Sequence, residues 1–333
     1  MISSRGIIFF QENPPTVKIE IAEHECYIIT GFNSKTYLRR KAKMFPVPVT
    51  YLFDFEYTDS KTRPYVMHEF AVCGAKYLVL TDTLISMILQ DRNLQDQLLQ
   101  EMAAEGLSFM DAHAPFGPKI DLNCPVEALR PQAMLRQKLA LQIAAEMGMK
   151  TITVHVGNEH RYPDHPLEQQ YDCIKRSLSE LLPFAETLGI TICIENIWCQ
   201  LNTPERLLGI KQEFPTDALG FCYDAGHANL MAKGKDFPES APYKIWKNVP
   251  PQFDDRILEK MLPHVVNCHL HDNNGITDQH YNPGRGNIDW PHIIGLLKTA
   301  PRLQVIQCEV IPIRTHDSIR DICAKFKELG DLG

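Results

Sequence analysis

Six short apolar runs, each closing on a polar residue and spaced about one strand-plus-helix unit apart, constrain this chain more than any other feature. They are FMDAHAP with His113, TITVHVG with His155, TICIENI with Glu195, GFCYDAGH with Asp224, VVNCHLHD with His269 and VIQCEVI with Glu309. Runs of this length rich in Val, Ile, Leu, Phe and Cys read as strands buried on both faces, as in a parallel sheet covered by helices. A lone buried histidine or carboxylate is ordinarily a hydrogen-bonded core group. Six in phase with the strand ends are another matter. A parallel barrel carries all such ends to one rim, where they make a single pocket of carboxylates and imidazoles.

The rest of the pattern agrees with an α/β chain. PVPVTYLFDF and AKYLVLT (75–81) supply two earlier strands, and helices are expected near 61–74, 83–105, 126–148, 167–189 and 316–329. Leu167, Tyr171, Ile174, Leu178, Leu181, Ala185 and Leu188 follow steps of three and four, with Pro183 as a candidate kink. Eight βα units imply a closed (β/α)8 TIM barrel over residues 45–333, with right-handed crossovers. Residues 1–44 fall outside that count. GIIFF, TVKIEI and ECYIITGF read there as short strands, so the segment is expected to be a β-rich extension that caps the barrel or meets a partner, either a second copy or another subunit. The Pro- and Lys-rich stretch 231–252 reads as a loop or lid on the catalytic rim.

Composition narrows the setting. At 333 residues and 44% apolar content the chain can build one large core. It has no apolar run of membrane-spanning length and MISSRGIIFF lacks a secretory leader pattern, so a cytoplasmic protein without a membrane partner is expected. Cys193, Cys222, Cys268 and Cys308 lie inside expected strands and no CxxC pair occurs, which speaks against structural disulfides. A net charge of −7 gives no general attraction for nucleic acid, and the basic cluster of Arg39, Arg40, Lys41 and Lys43 is short enough to be a solvated face.

At the rim, Glu195, Asp224, His269 and Glu309 offer three carboxylates and one imidazole to a single divalent ion. That set suits Mn2+, Co2+, Mg2+ or Zn2+ better than a structural zinc, which prefers thiolates. Such an ion can grip a sugar's carbonyl and adjacent hydroxyl and stabilise the enediolate formed when a carboxylate removes the α-proton, while carboxylates on opposite faces permit removal on one side and return on the other. His227, three residues after Asp224, is placed to touch substrate oxygens or a second ion. HLHDNNG leaves His269 and His271 both open as the ligand. Asp278 and His280 are spaced to complete another metal site, and the turn at Pro283, Gly284 and Gly286 has exposed amides that, with Arg285, would hold an anion or hydroxyl.

The ordered set HAPFG, TVHVGN, IENI, CYDAGH, CHLHDNNG, DQHYNPGRGNIDW and CEV resembles the xylose-isomerase-like barrel superfamily of sugar phosphate isomerases and epimerases, whose fold is shared by zinc-dependent apurinic endonucleases. The resemblance covers residues from about 45 to 330. It implies that Glu195 and Glu309 are both metal ligands and the acid/base pair, that Asp224 is a ligand, and that His227 contacts substrate. It selects His269, three residues before Asp272, over His271. A second glutamate that some ketose 3-epimerases carry six residues after the first is Leu201 here. His113, His155, His227, Asp278, His280 and Arg285 form the expected substrate-binding set. The endonuclease branch has same-type residues for a three-zinc cluster at His113, His155, Glu195, Asp224, His227, His269, Asp278, His280 and Glu309, so a multinuclear zinc site and phosphodiester chemistry form the rival reading. The ending DQHYNPGRGNIDW is nearer the sugar branch, which makes a carbohydrate the expected partner. A lyase or dehydratase acting on an oxo-sugar or inosose needs the same apparatus. A non-catalytic subunit role is the third class, and it would leave clustered carboxylates unexplained.

Overall fold

The computed structural model describes residues 27–30, 37–40, 45–247 and 249–332. The chain divides into two compact units, Met1–Lys43 and Met44–Gly333. In the first, β1 (Tyr27–Thr30) and β2 (Tyr37–Arg40) pair antiparallel with Tyr27 opposite Arg40. The expected strand in ECYIITGF is thus present, its partner falls on the basic cluster, and GIIFF and TVKIEI lie outside the described residues.

The second unit is a closed barrel of eight parallel strands: β3 (Val49–Tyr51), β4 (Tyr77–Leu80), β5 (Ser108–His113), β6 (Thr151–Val154), β7 (Thr191–Glu195), β8 (Leu219–Asp224), β9 (Val265–Leu270) and β10 (Val305–Cys308), with β10 closing on β3. β3 is short because Pro46 and Pro48 cannot donate to a ladder. β6 to β9 are buried at nearly every residue, as strands with both faces covered must be. The apolar side chains between sheet and helices form one continuous core, with Phe55, Phe70, Phe221 and Phe326 among its largest members.

Local chemistry adjusts the expected helices. The long helix over 83–105 is two, Asp82–Gln90 and Asn93–Ala104, because Asp91 turns extended and its carboxylate takes the Asn93 amide hydrogen at 3.0 Å. The helix Leu167–Leu188 runs through Pro183 on its exposed face and stops at Gly189, whose φ of 64° suits a residue without a Cβ. The stretch 231–252 is more ordered than a plain loop, for it holds a 3-10 turn (Gly234–Asp236) and a short helix (Ala241–Trp246). It docks on the rim through the Trp246 indole N–H, which donates to the Trp198 carbonyl at 3.1 Å. Every cysteine among the described residues is a free thiol, and no described helix is long and apolar enough to cross a membrane.

Candidate active site

Strand register decides which side chains meet. β8 and β9 pair with Asp224 beside His269, β9 and β10 with His269 beside Gln307, and β7 and β8 with Glu195 beside Cys222. Successive side chains on a strand point to opposite faces, so these residues and their neighbours two positions away share the barrel interior. Glu195, Asp224, His269 and Glu309 converge there, each offering a ligand atom within 4.8 Å of the others. His269 Nδ1 sits at their centre, 3.2 Å from Glu195 Oε1, 3.3 Å from Glu309 Oε1 and 3.8 Å from Asp224 Oδ2. His271 is also fully buried, with Nε2 3.2 Å from Asp224 Oδ2, but that four-residue group does not include it.

The flanking histidines are oriented by backbone. His113 Nδ1 lies 2.9 Å from the Ala114 carbonyl, His227 Nδ1 3.0 Å from that of Asn196, and His280 Nδ1 2.9 Å from that of Glu309. A carbonyl only accepts, so each Nδ1 carries the proton and each Nε2 is turned elsewhere. For His280 it is turned to Asp278 Oδ2 at 2.9 Å, and for His227 to the same oxygen at 3.7 Å. His280 is held at φ 53°, a left-handed conformation that costs energy for a residue with a Cβ and here aims its ring at this cluster. His155 Nε2 lies 2.8 Å from Glu195 Oε2, and the His155 and His113 rings meet edge to face. The nine polar residues singled out from the sequence therefore form one connected cluster.

A cavity of about 520 Å³ opens above it, lined by Glu195, Glu309, His113, His155, His227, Asp278 and His280. Asp224 and His269, both fully buried, lie outside that lining. Phe116 stands against the His155 ring on one wall, and Trp198 against the His227 ring on another. Asp54, Glu56, Asp82, His160, Arg161 and Arg314 complete the rim. The sequence reading missed these, since loop aromatics and charges carry no periodic signal. Their one mark is position, each following directly on a strand or its turn.

Two expectations for the turn after β9 are corrected. Arg285 is not among the cavity-lining residues; its guanidinium bonds Asp317 Oδ2 at 2.8 Å and the Thr315 carbonyl at 3.1 Å and lies over the Tyr281 ring. Two of the turn amides are already engaged, Gly284 with Asp272 and Arg285 with the Asn282 carbonyl at 3.1 Å. Asp272, fully buried, accepts from the Gly284 and Asn273 amides at 2.8 and 2.9 Å and from the Trp290 indole at 3.0 Å. A Cβ on Gly286 would lie 2.1 Å from the Asn273 carbonyl oxygen and 2.2 Å from Asp272 Oδ1. Gly286→Ala is expected to destabilise the protein by about 3 kcal/mol, the upper end of overpacking costs, read by urea unfolding. An unchanged midpoint would contradict this packing.

The cluster polarises its members. Burial alone would raise Glu195, but the His269 and His155 imidazoles hold it well below the carboxylate range, and His269 with His280 does the same for Glu309. Burial raises Asp224. Burial would lower His227 and His280, yet Asp224 and Asp278 raise the first to about 10, and Asp278 with Glu309 raises the second to about 9. Both are thus cationic at neutral pH in the metal-free protein. A histidine raised on folding contributes stability that is full below its unfolded value of about 6.5 and is lost as pH climbs through the folded value. The melting temperature of chelator-treated protein should therefore fall steadily between pH 7 and pH 10. A flat profile would show that these histidines are neutral in the native state.

The sequence model of the xylose isomerase-like TIM barrel matches residues 72–327. The chain belongs to that family. An uncharacterised protein of Methanocaldococcus jannaschii, MJ1311, is 28% identical over 223 residues, covering 65% of this chain and 69% of its own. Among solved structures, a D-tagatose 3-epimerase-like protein superposes with a TM-score of 0.64 at 21% identity over 85% of this chain and 95% of that one. The IolI protein with a bound zinc atom does so with a TM-score of 0.60 at 18% identity over 84% and 96%. At such identities the likeness establishes the fold.

Proposed function

We propose that this protein is a divalent-metal-dependent isomerase or epimerase of a sugar or sugar derivative, acting by α-proton transfer. The observation that carries this reading is the division within the four-residue group: Asp224 and His269 are wholly buried, whereas Glu195 and Glu309 border the cavity. Three carboxylates packed around one imidazole repel one another unless a cation is shared among them, so the donor set fits a divalent ion. The ion, when bound, supplies Lewis-acid stabilisation of the negative charge that develops on the substrate's oxygens. Glu195, the last residue of β7, and Glu309, the residue after β10, are the bases that remove and return the proton. His113, His155, His227, Asp278 and His280 bind hydroxyls, and Phe116 and Trp198 wall the cavity with apolar faces suited to the C–H side of a sugar. A volume of about 520 Å³ lies within the range of small-molecule sites. The names of the structural relatives, a tagatose 3-epimerase-like protein among them, support the substrate class.

The test is solvent deuterium wash-in on a panel of ketoses, inososes and oxo-sugars with Mn2+, Co2+, Mg2+ or Zn2+ added. Exchange at the carbon beside a carbonyl is expected, and exchange coupled to loss of a hydroxyl would move the assignment to a dehydratase. One observation favours a second reading. Glu195 belongs both to the four-residue group and to a triad with His113 and His155, while Asp278 and His280 form a third group with His271, so the cluster has room for more than one ion. Zinc-dependent incision of abasic duplex DNA, with no proton exchange on any sugar, would replace the isomerase reading by phosphodiester chemistry.

A further inference from the structure

The floor of the barrel beneath the site is polar where bulky branched side chains usually fill such barrels. Asp111, Thr153 and Asn267 are fully buried there and Thr151 nearly so. They are joined in sequence. Asp111 accepts the Thr151 hydroxyl at 2.6 Å on Oδ1 and the Asn267 amide at 2.8 Å on Oδ2. The same amide nitrogen donates to Thr153 Oγ1 at 3.1 Å, and Thr153 Oγ1 lies 3.2 Å from His269 Nε2. Because Asp111 and Thr153 both take hydrogens from Asn267, the amide cannot flip without facing its own oxygen to two acceptors.

We propose that Asp111, Asn267 and Thr153 are positioning residues that fix the tautomer and ring angle of His269, so that Nε2–H is spent on Thr153 and Nδ1 points at the three carboxylates. The inference rests on the metal reading above. It also explains why His269 differs from His113, His227 and His280, which present Nε2 after giving Nδ1–H to a backbone carbonyl. His269 lies within β9, where ladder bonding engages the nearby carbonyls, so a side chain from β6 across the barrel takes the place of the backbone acceptor. Asn267, two residues before His269 on β9, occupies one lone pair of Thr153 Oγ1 and is itself held by Asp111, which fixes that oxygen in front of His269 Nε2 with a second lone pair to accept its hydrogen.

The experiment is Co2+ binding by the purified full-length protein, following affinity and the visible ligand-field spectrum, with circular dichroism to verify folding. Removing an outer partner of a metal-binding histidine typically costs about 10–100-fold in affinity, and Thr153→Val should lose that much and shift the spectrum. Thr153→Ser keeps the hydroxyl and loses a methyl, so it should melt lower than the parent yet retain parental affinity and spectrum. A merely structural role predicts the reverse, since valine preserves the volume and serine opens a gap. Asp111→Leu, which has similar volume and no oxygen to accept from Asn267, should weaken binding in the same direction and serves if Thr153→Val does not fold. Parental affinity in Thr153→Val, or an equal loss in Thr153→Ser, overturns the proposal and leaves the metal reading standing. A parent that binds no Co2+ removes both.

Discussion

Glutamine at position 195 or 309 is expected to lower turnover and solvent exchange of the substrate's α-proton by about 10²–10⁴-fold, the range set by loss of a positioned general base. Glutamine keeps the size of glutamate and one acceptor oxygen but has no basic site. Glu195 Oε2 lies 2.8 Å from His155 Nε2, whereas Glu309 accepts a hydrogen bond from Gln307 at 3.4 Å, so their settings differ. If the two face opposite sides of the bound sugar, each variant should retain wash-in from one epimer alone, and the pair should be complementary. Dependence on only one glutamate would point to the lyase or dehydratase form of the chemistry. Full turnover in both variants, with metal shown to be bound, would mean that neither is the base.

Removal of the metal should abolish activity and lower stability together. An ion that binds only the native state adds about 4 kcal/mol when present at a thousand times its dissociation constant. For a barrel of this size that corresponds to a fall in melting temperature of about 6 °C after chelation. The loss should be reversed by Mn2+ or Zn2+ and should grow less reversible in acid, since His269 must surrender a proton that Glu309 and Glu195 help to hold. Calorimetry with and without chelator measures this, and identical curves would argue that the carboxylates are balanced by protonated histidines alone.

Much of this was legible in the residues because strand chemistry is local. An apolar run buried on both faces has to end before a charge can be hydrated or paired, so His113, Glu195 and Asp224 mark strand ends, and His155 and Glu309 follow theirs by one residue. The alternation of such runs with amphipathic helices then permits little besides a barrel, and a barrel gathers those ends. What the chain order could not state is distance across the ring. His269 and His271 have the same side-chain direction and the same burial; only the closed ring shows that the first faces Glu195, Asp224 and Glu309, while the second faces Asp224, Glu309 and Asp278 and stacks on the His280 ring. Arg285 had the right neighbours for a substrate contact and was drawn instead to Asp317, thirty-two positions away in sequence. Asp111, Thr153 and Asn267 looked like ordinary strand residues, and closure of the barrel made them a hydrogen-bonded chain by bringing β5, β6 and β9 face to face. Local periodicity determined the elements and the identity of the polar ends. Which of those ends touch was decided by tertiary structure, because register and ring closure depend on contacts between strands that sequence spacing does not encode.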